Sequence, residues 1–314
     1  MPAKYEIVAA VDGSRASRAA VMWAAREAER RNSGLFVVYV CEYGNASLWP
    51  SPDLEKELRA FVRPTVDEAI TLAQQTAPSI TVTGSVMMGP ITRMLVGITE
   101  QAELMVLGRS GKGALARHLV GSLTTRLAAH AHCPVIVVPI DGESQPADGS
   151  AGKVVVGIGD RPTAGAALRF AIAEAELRHT AAMPVHAWHG PEGLPVDPDA
   201  QPPHPMYVED AELRQANGRI AAALPEVPAE LRPQSVVRAG QPAGVLLSLC
   251  HPADLLVLGQ HRHEAAFTPT TVGRVIGECL QHAVGPVAVV PEPALAAAKG
   301  EPPRVAEAAG LIAY

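Results

Sequence analysis

Aromatic residues are scarce in this chain, 4% of 314, and charged residues make up only 18%. With 48% of residues hydrophobic, the low charge excludes a disordered polyelectrolyte and allows a sizeable buried core. Positive charge is in deficit: 26 Lys and Arg stand against 32 Asp and Glu, for a net charge of −6 and a pI of about 6.0. That balance has the wrong sign for a protein whose main partner is a nucleic acid or an anionic membrane. Small anionic ligands are not excluded, because backbone amides and a few local cations bind them whatever the net charge. Cys41, Cys133, Cys250 and Cys279 are scattered without C-x-x-C spacing. That spacing argues against a disulfide framework or a zinc site and for reduced, buried thiols. No apolar run approaches the roughly 18 residues of a membrane span, and the N-terminal MPAKYEIVAAVDGS has no signal-like apolar region. The expectation is a soluble, cytoplasmic protein with no membrane partner.

What the chain does have is itself, written twice. QAELMVLG at 101–108 returns as PADLLVLG at 252–259, and PVIVVP at 134–139 returns as PVAVVP at 286–291. Upstream, YEIVAAVDGS corresponds to KVVVGIGDRP at 153–162. Three landmarks in the same order at nearly constant spacing divide the chain into a first domain, 1–140, and a second, 153–291. Between them, DGESQPADGSAG at 141–152 reads as a linker, and 292–314 reads as a loose or briefly helical tail.

Within repeat one, short apolar runs alternate with helical patterns. Strands are expected at YEIVAAV, LFVVYV, ITVTGSV, LMVLG and VIVV, with helices at 16–31, 53–77, near 90–101 and near 122–131. This βαβαβαβαβ order predicts an α/β fold: two tandem Rossmann-like domains, each a doubly wound parallel sheet. Repeat two follows the same order, with a Pro-rich excursion at 190–205 after its second strand.

Ligands of such sheets bind beyond the carboxyl ends of strands. After the first strand comes Asp12-Gly13-Ser14, where a carboxylate can accept from ribose hydroxyls, or where Asp12 or Ser14 simply caps the next helix. After the fourth comes GRSGKGALARHLVGSLTT at 108–125. Gly108 and Gly111 permit close approach, and free N–H groups in such a loop cradle phosphate oxygens. Ser122 is expected to N-cap the following helix, so that Gly121 and Ser122 bring a helix N-terminus to the same anion. Arg109 and Lys112 add positive charge.

Gly108-x2-Gly111-x9-Gly121-Ser122 matches the G-x2-G-x9-G-[S/T] signature of the universal stress protein family at every defined position, and VGSLTTRL and AHCPVIVVP also resemble that family. The resemblance covers nearly the whole chain. It implies an ATP ligand, with or without Mg. Asp12 would contact the nucleoside, and the backbone of Val40 the adenine. Gly108, Gly111, Gly121, Ser122, Leu123 and Thr124 would surround ribose and phosphates. It further implies that the last strands, 135–138 and 287–290, pair within the chain as a pseudo-dimer, leaving a further homodimer open. Such pairing would also cover two aggregation-prone edges.

The second repeat departs from the signature. Gly159 stands where Asp12 does, with Asp160 displaced by one. Arg262 replaces the second glycine, ten residues rather than nine precede Gly273, and Arg274 replaces the Ser or Thr. Each lost charge-assisted hydrogen bond costs about ten- to a hundred-fold in affinity, so this site is expected to be degenerate.

Other signals carry less. GIGDRP at 157–162 ends on Pro162 rather than the last glycine of a dinucleotide fingerprint, and Gly111-Lys112-Gly113 lacks Walker A spacing. His130, His132 and Cys133 read as residues of a helix end rather than metal ligands; His261 and His263, near the altered loop of repeat two, are an equally weak metal signal. No Ser-His-Asp or Cys-His arrangement is evident. With a phosphate cradle and no general base, the leading expectation is an ATP-binding stress-response module. A slow ATPase or phosphotransferase at the same site, and a nucleotide-independent scaffold, are the alternatives.

Overall fold

A computed structural model describes residues 5–42, 51–109, 121–140, 152–159, 165–188, 205–225, 227, 232–252, 254–260 and 272–292. Gly111, Lys112, Asp160, Arg262, His261, His263, most of the linker, most of the Pro-rich excursion and the tail after Glu292 lie outside the described residues.

The strands are short apolar runs without strict alternation, which is the pattern of sheets covered on both faces. Repeat one runs β1 (Tyr5–Ala10), α1 (Arg15–Arg30), β2 (Leu35–Cys41), α2 (Pro52–Thr76), β3 (Val82–Met88), α3 (Ile91–Thr99), β4 (Ala102–Gly108), α4 (Ser122–His130) and β5 (Val135–Val138). Repeat two runs β6 (Val154–Gly157), α5 (Gly165–Leu177), β7 (Ala182–Trp188), α6 (Pro205–Ala223), β8 (Val236–Ala239), α7 (Pro242–Leu249), β9 (Leu255–Gln260), α8 (Arg274–His282) and β10 (Val287–Pro291). β3 begins two residues later than expected, because Ile80 still belongs to a turn closed by its N–H on the Ala77 carbonyl.

All ten strands form one sheet in the order β3-β2-β1-β4-β5-β10-β9-β6-β7-β8. Neighbours within each repeat are parallel, and the order in which strands are added to the sheet reverses between β1 and β4 and between β6 and β9. β5 and β10 meet antiparallel, with Val137 opposite Val287 and Val135 opposite Val289, so the two repeats pair within one chain through their last strands. Ile7 and Ala9 point to a core layer shared with α1, α2, α5 and α6, whereas Val8 points to a second layer with α3, α4, α7 and α8. Cys133, Cys250 and Cys279 are buried in the second layer, where desolvation pushes each thiol up to about 12.

A buried ionic cluster joins α1 to α5. Glu27 and Glu174 have fully buried side chains. Arg178, just past the end of α5, reaches Glu27 at 2.8 Å and also pairs with Glu174, one turn earlier in α5. Arg31 pairs with Glu27 at 2.8 Å and crosses to Glu174. The Arg178 guanidinium also lies 5.8 Å from the centre of the Trp23 ring, within cation–π range. Each helix thus offers a Glu and an Arg four residues later, and the pairs interlock about a pseudo-twofold. Burial pushes both carboxyls up. Beside Arg178 and Arg31, Glu27 is nevertheless held below the ordinary carboxylate range, while Glu174, which also feels the charge of Glu27, lies above it.

Removing one cation from such a cluster leaves two buried carboxylates to share the remaining arginines. Arg178→Met is therefore expected to lower stability by about 3–5 kcal/mol in urea unfolding. A loss below about 1 kcal/mol would show that the cluster does not hold the repeats together.

Candidate functional site

At the carboxyl end of the repeat-one strands, beside the β1–β4 reversal, lies a cavity of about 330 Å³. Three groups of residues build it. Ala10, Val11, Asp12, Ser14 and Ser17 come from the end of β1 and the start of α1. Val38 and Val40 of β2, with Ile91 and Leu95 of α3, form an apolar wall. Leu107 and Gly108 end β4, and Gly121, Ser122, Leu123 and Thr124 open α4. The size and the mixture of apolar wall and polar ends suit a small ligand.

Local chemistry explains each piece. The β1–α1 turn places Gly13 at φ 78°, in the left-handed region that a side chain would strain. Asp12 Oδ1 accepts from the Ser14 N–H at 2.9 Å, and Ser14 Oγ accepts from the Ser17 N–H at 3.1 Å as the N-cap of α1. Ser14 thus caps the helix, as one of the two readings expected, and the exposed Asp12 lines the cavity. Gly108 has a reason independent of any ligand. A Cβ there would fall 2.3 Å from the backbone carbonyl group of Ala16, so the glycine lets the first turn of α1 press onto the end of β4.

One detail of the α4 start differs from expectation. Gly121, not Ser122, is the N-cap, and Ser122 is the first helical residue. Gly121 offers no side chain to the first-turn N–H groups, so no side-chain cap bond forms there. Ser122 is exposed, and the Thr124 side chain is buried below it.

The cavity gathers Asp12, Val40, Gly108, Gly121, Ser122, Leu123 and Thr124 of the sequence-predicted residues. Arg109 is placed otherwise. It does not line the cavity, and its Nη1 donates to the carbonyl of Ala283 at 2.6 Å, in repeat two. Its side chain is drawn to the bare carbonyls at a helix C-terminus. Among the described residues, no three His, Cys, Asp or Glu side chains gather as a metal group. His132 instead lies 3.7 Å from Glu100.

Repeat two has a different interior at the corresponding place. The Ile158 N–H bonds the Val185 carbonyl as that of Val11 bonds Val38, so Gly159 is the counterpart of Asp12. Arg274 opens α8 and pairs with Glu278 at 2.8 Å. Glu292, just past β10, inserts its carboxylate beside Gly259 and accepts from the N–H groups of Ala166 and Ala167 at 3.3 and 3.4 Å. The start of α5 is therefore filled by the chain's own carboxylate. Nothing in the family signature marks Glu292; only the contrast of Pro291-Glu292 with Pro139-Ile140 does.

Burial pushes the Glu292 carboxyl above its usual range, although the N–H groups of Ala167 and Ala166 pull it part of the way back. A carboxyl raised in the folded state binds its proton more tightly there, so stability present at low pH is lost as pH rises through that raised value. Glu292→Gln keeps an acceptor and does not titrate. The stability difference should shift towards the wild type between about pH 7 and about pH 5, read from urea midpoints. A difference independent of pH would contradict this.

Comparison with known proteins agrees with the internal repeat. The model of the universal stress protein family matches residues 5–139 and again 151–291. Universal stress protein Rv1996 of Mycobacterium tuberculosis is 34% identical over 274 residues, 81% of this chain and 85% of that protein. Universal stress protein Rv2005c of the same organism is 32% identical over 296 residues, 91% of this chain and 97% of that one. Among solved structures, a universal stress protein from Archaeoglobus fulgidus superimposes with a TM-score of 0.67 at 14% identity, over 92% of this chain and 98% of that chain; at that identity the likeness is one of fold. The chain belongs to the universal stress protein family and carries two of its domains in tandem.

Proposed function

We propose that repeat one binds one ATP and that the protein is a nucleotide-dependent regulatory module of the stress-response type rather than an efficient enzyme. The observation that carries this reading is the composition of the repeat-one cavity. A carboxylate at one end, an apolar slot in the middle and an uncapped helix N-terminus at the other match a ribose, an adenine and a phosphate chain in turn.

Each residue then has a task. Asp12 accepts from the ribose hydroxyls. Val40, whose side chain is buried, offers its backbone to the adenine edge. The N–H groups after Gly121 and the hydroxyl of Ser122 hold phosphate oxygens; Gly111 and Lys112, which the family signature assigns to the same task, lie outside the described residues. Mg, if it accompanies ATP, would take its ligands mainly from phosphate and water, a usual mode for this ion.

Turnover is not favoured by the lining. Among the described residues of the cavity, Asp12 is the only titratable group, and its Oδ1 already accepts from the Ser14 N–H. A general base for a hydrolytic water needs a carboxylate or imidazole within hydrogen-bond reach of it. The binding role, not catalysis, is therefore the reading with the stronger physical support.

Asp12→Asn tests it, because Asn keeps the acceptor for Ser14 and removes the charge. The substitution should weaken ATP binding about ten-fold in calorimetric titration, with the melting temperature little changed. Unchanged affinity, or no ATP binding by the wild type, would overturn the assignment.

A further inference from the structure

The end of β4 in repeat one is held partly by repeat two. Gly108 closes the strand, and the next residue, Arg109, crosses the repeat boundary. Its Nη1 donates to the carbonyl oxygens of Ala283 at 2.6 Å, Gln281 at 3.3 Å and Leu280 at 3.4 Å. These are carbonyls at the C-terminal end of α8, which lack intrahelical donors and carry the negative end of the helix dipole. The Arg109 backbone N–H donates to the Val138 carbonyl at 2.7 Å, so the residue is fixed at both ends.

The topology makes this contact available. Gly108 lies beside Val138 at the carboxyl end of β5. Because β5 and β10 run antiparallel, that end of β5 faces the beginning of β10, where Val137 pairs with Val287. α8 delivers the chain to the same place, since only residues 283–286 separate it from β10. A parallel junction would have put the far end of β10 there instead. α4, which opens on the cavity, also packs against β10. At the matching position of repeat two stands Gln260, an uncharged residue buried in β9 opposite Pro291. A guanidinium at this position is therefore a feature of the signature-bearing repeat.

We propose that Arg109 is a positioning residue, through which the C-terminus of α8 in repeat two holds the exit of β4 in the arrangement that receives phosphates in repeat one. This rests on the nucleotide reading above. It gives the degenerate repeat a task that needs no ligand of its own: it supplies the fixed point against which the phosphate end of the other site is set. The adenosine end, at Asp12 and Val40, is carried by β1 and β2 rather than by the residue that the tether to α8 holds.

The test uses the full chain, wild type and Arg109→Gln, titrated calorimetrically with adenosine, ADP and ATP. The expected result is a loss that grows with phosphate number: adenosine affinity within about two-fold of wild type, ATP affinity down roughly ten-fold, ADP between. Arg109→Lys, which keeps a cation against the α8 carbonyls, should recover part of the ATP loss. It also carries the same comparison if the Gln variant fails to fold. Equal loss for all three ligands would mean that Arg109 only stabilises the fold, and no loss would mean that the tether does not act on the site; either result overturns this proposal alone. A wild type that binds none of the three overturns the nucleotide reading and the proposal together.

Discussion

Each repeat ends on a strand with apolar side chains on both faces and, within its own repeat, an open row of N–H and C=O groups along its outer edge. Such an edge is a template for uncontrolled pairing. The antiparallel union of β5 with β10 satisfies both rows at once and turns two five-stranded sheets into one of ten. The other inter-repeat features depend on that union. It brings α1 and α5 close enough for Glu27, Arg31, Glu174 and Arg178 to interlock, and it sets the end of α8 beside the end of β4. The strand pairing supplies a backbone contact along one edge. The buried charges, which tolerate little displacement, give it a definite geometry.

The two repeats use the same scaffold unequally. In repeat one the first helix is capped by a neighbouring serine, which leaves the end of β1 free to present Asp12 to a cavity. In repeat two a carboxylate from beyond the last strand takes up the N–H groups at the start of α5, and an arginine bound to Glu278 stands where Ser122 stands in repeat one. Duplication followed by divergence of the ligand-facing ends accounts for this without any change of fold. The strands and their pairing are kept, and the loops at one end vary.

Much of the architecture could be read from the residues because it rests on local patterns. Apolar runs such as LMVLG and VIVV mark buried strands, and their recurrence marks the two domains. The cavity residues were legible for a related reason: glycines and small polar residues at strand ends have few other uses. The direction of the Arg109 side chain was not legible. A cation in a glycine-rich loop fits a phosphate, and only the three-dimensional proximity of α8 gives it other acceptors. The position of the α4 cap differed by one residue because serine is the better capping side chain, yet the backbone there is set by Gly121. The ionic cluster leaves a trace in the sequence: Glu-Ala-Glu followed by Arg two residues later occurs at the ends of both α1 and α5. An isolated helix shows such a pair as an ordinary surface motif, and its burial follows only from how the repeats dock.

Repeat one is proposed to hold one nucleotide, while in repeat two the Glu292 carboxylate takes up the start of α5 on the same continuous sheet. Native mass spectrometry of the gently purified full chain, with ATP added, counts the ligands directly. A single adenine nucleotide per chain is the predicted result. Two per chain would contradict a degenerate second repeat, and none would contradict the functional reading of the first.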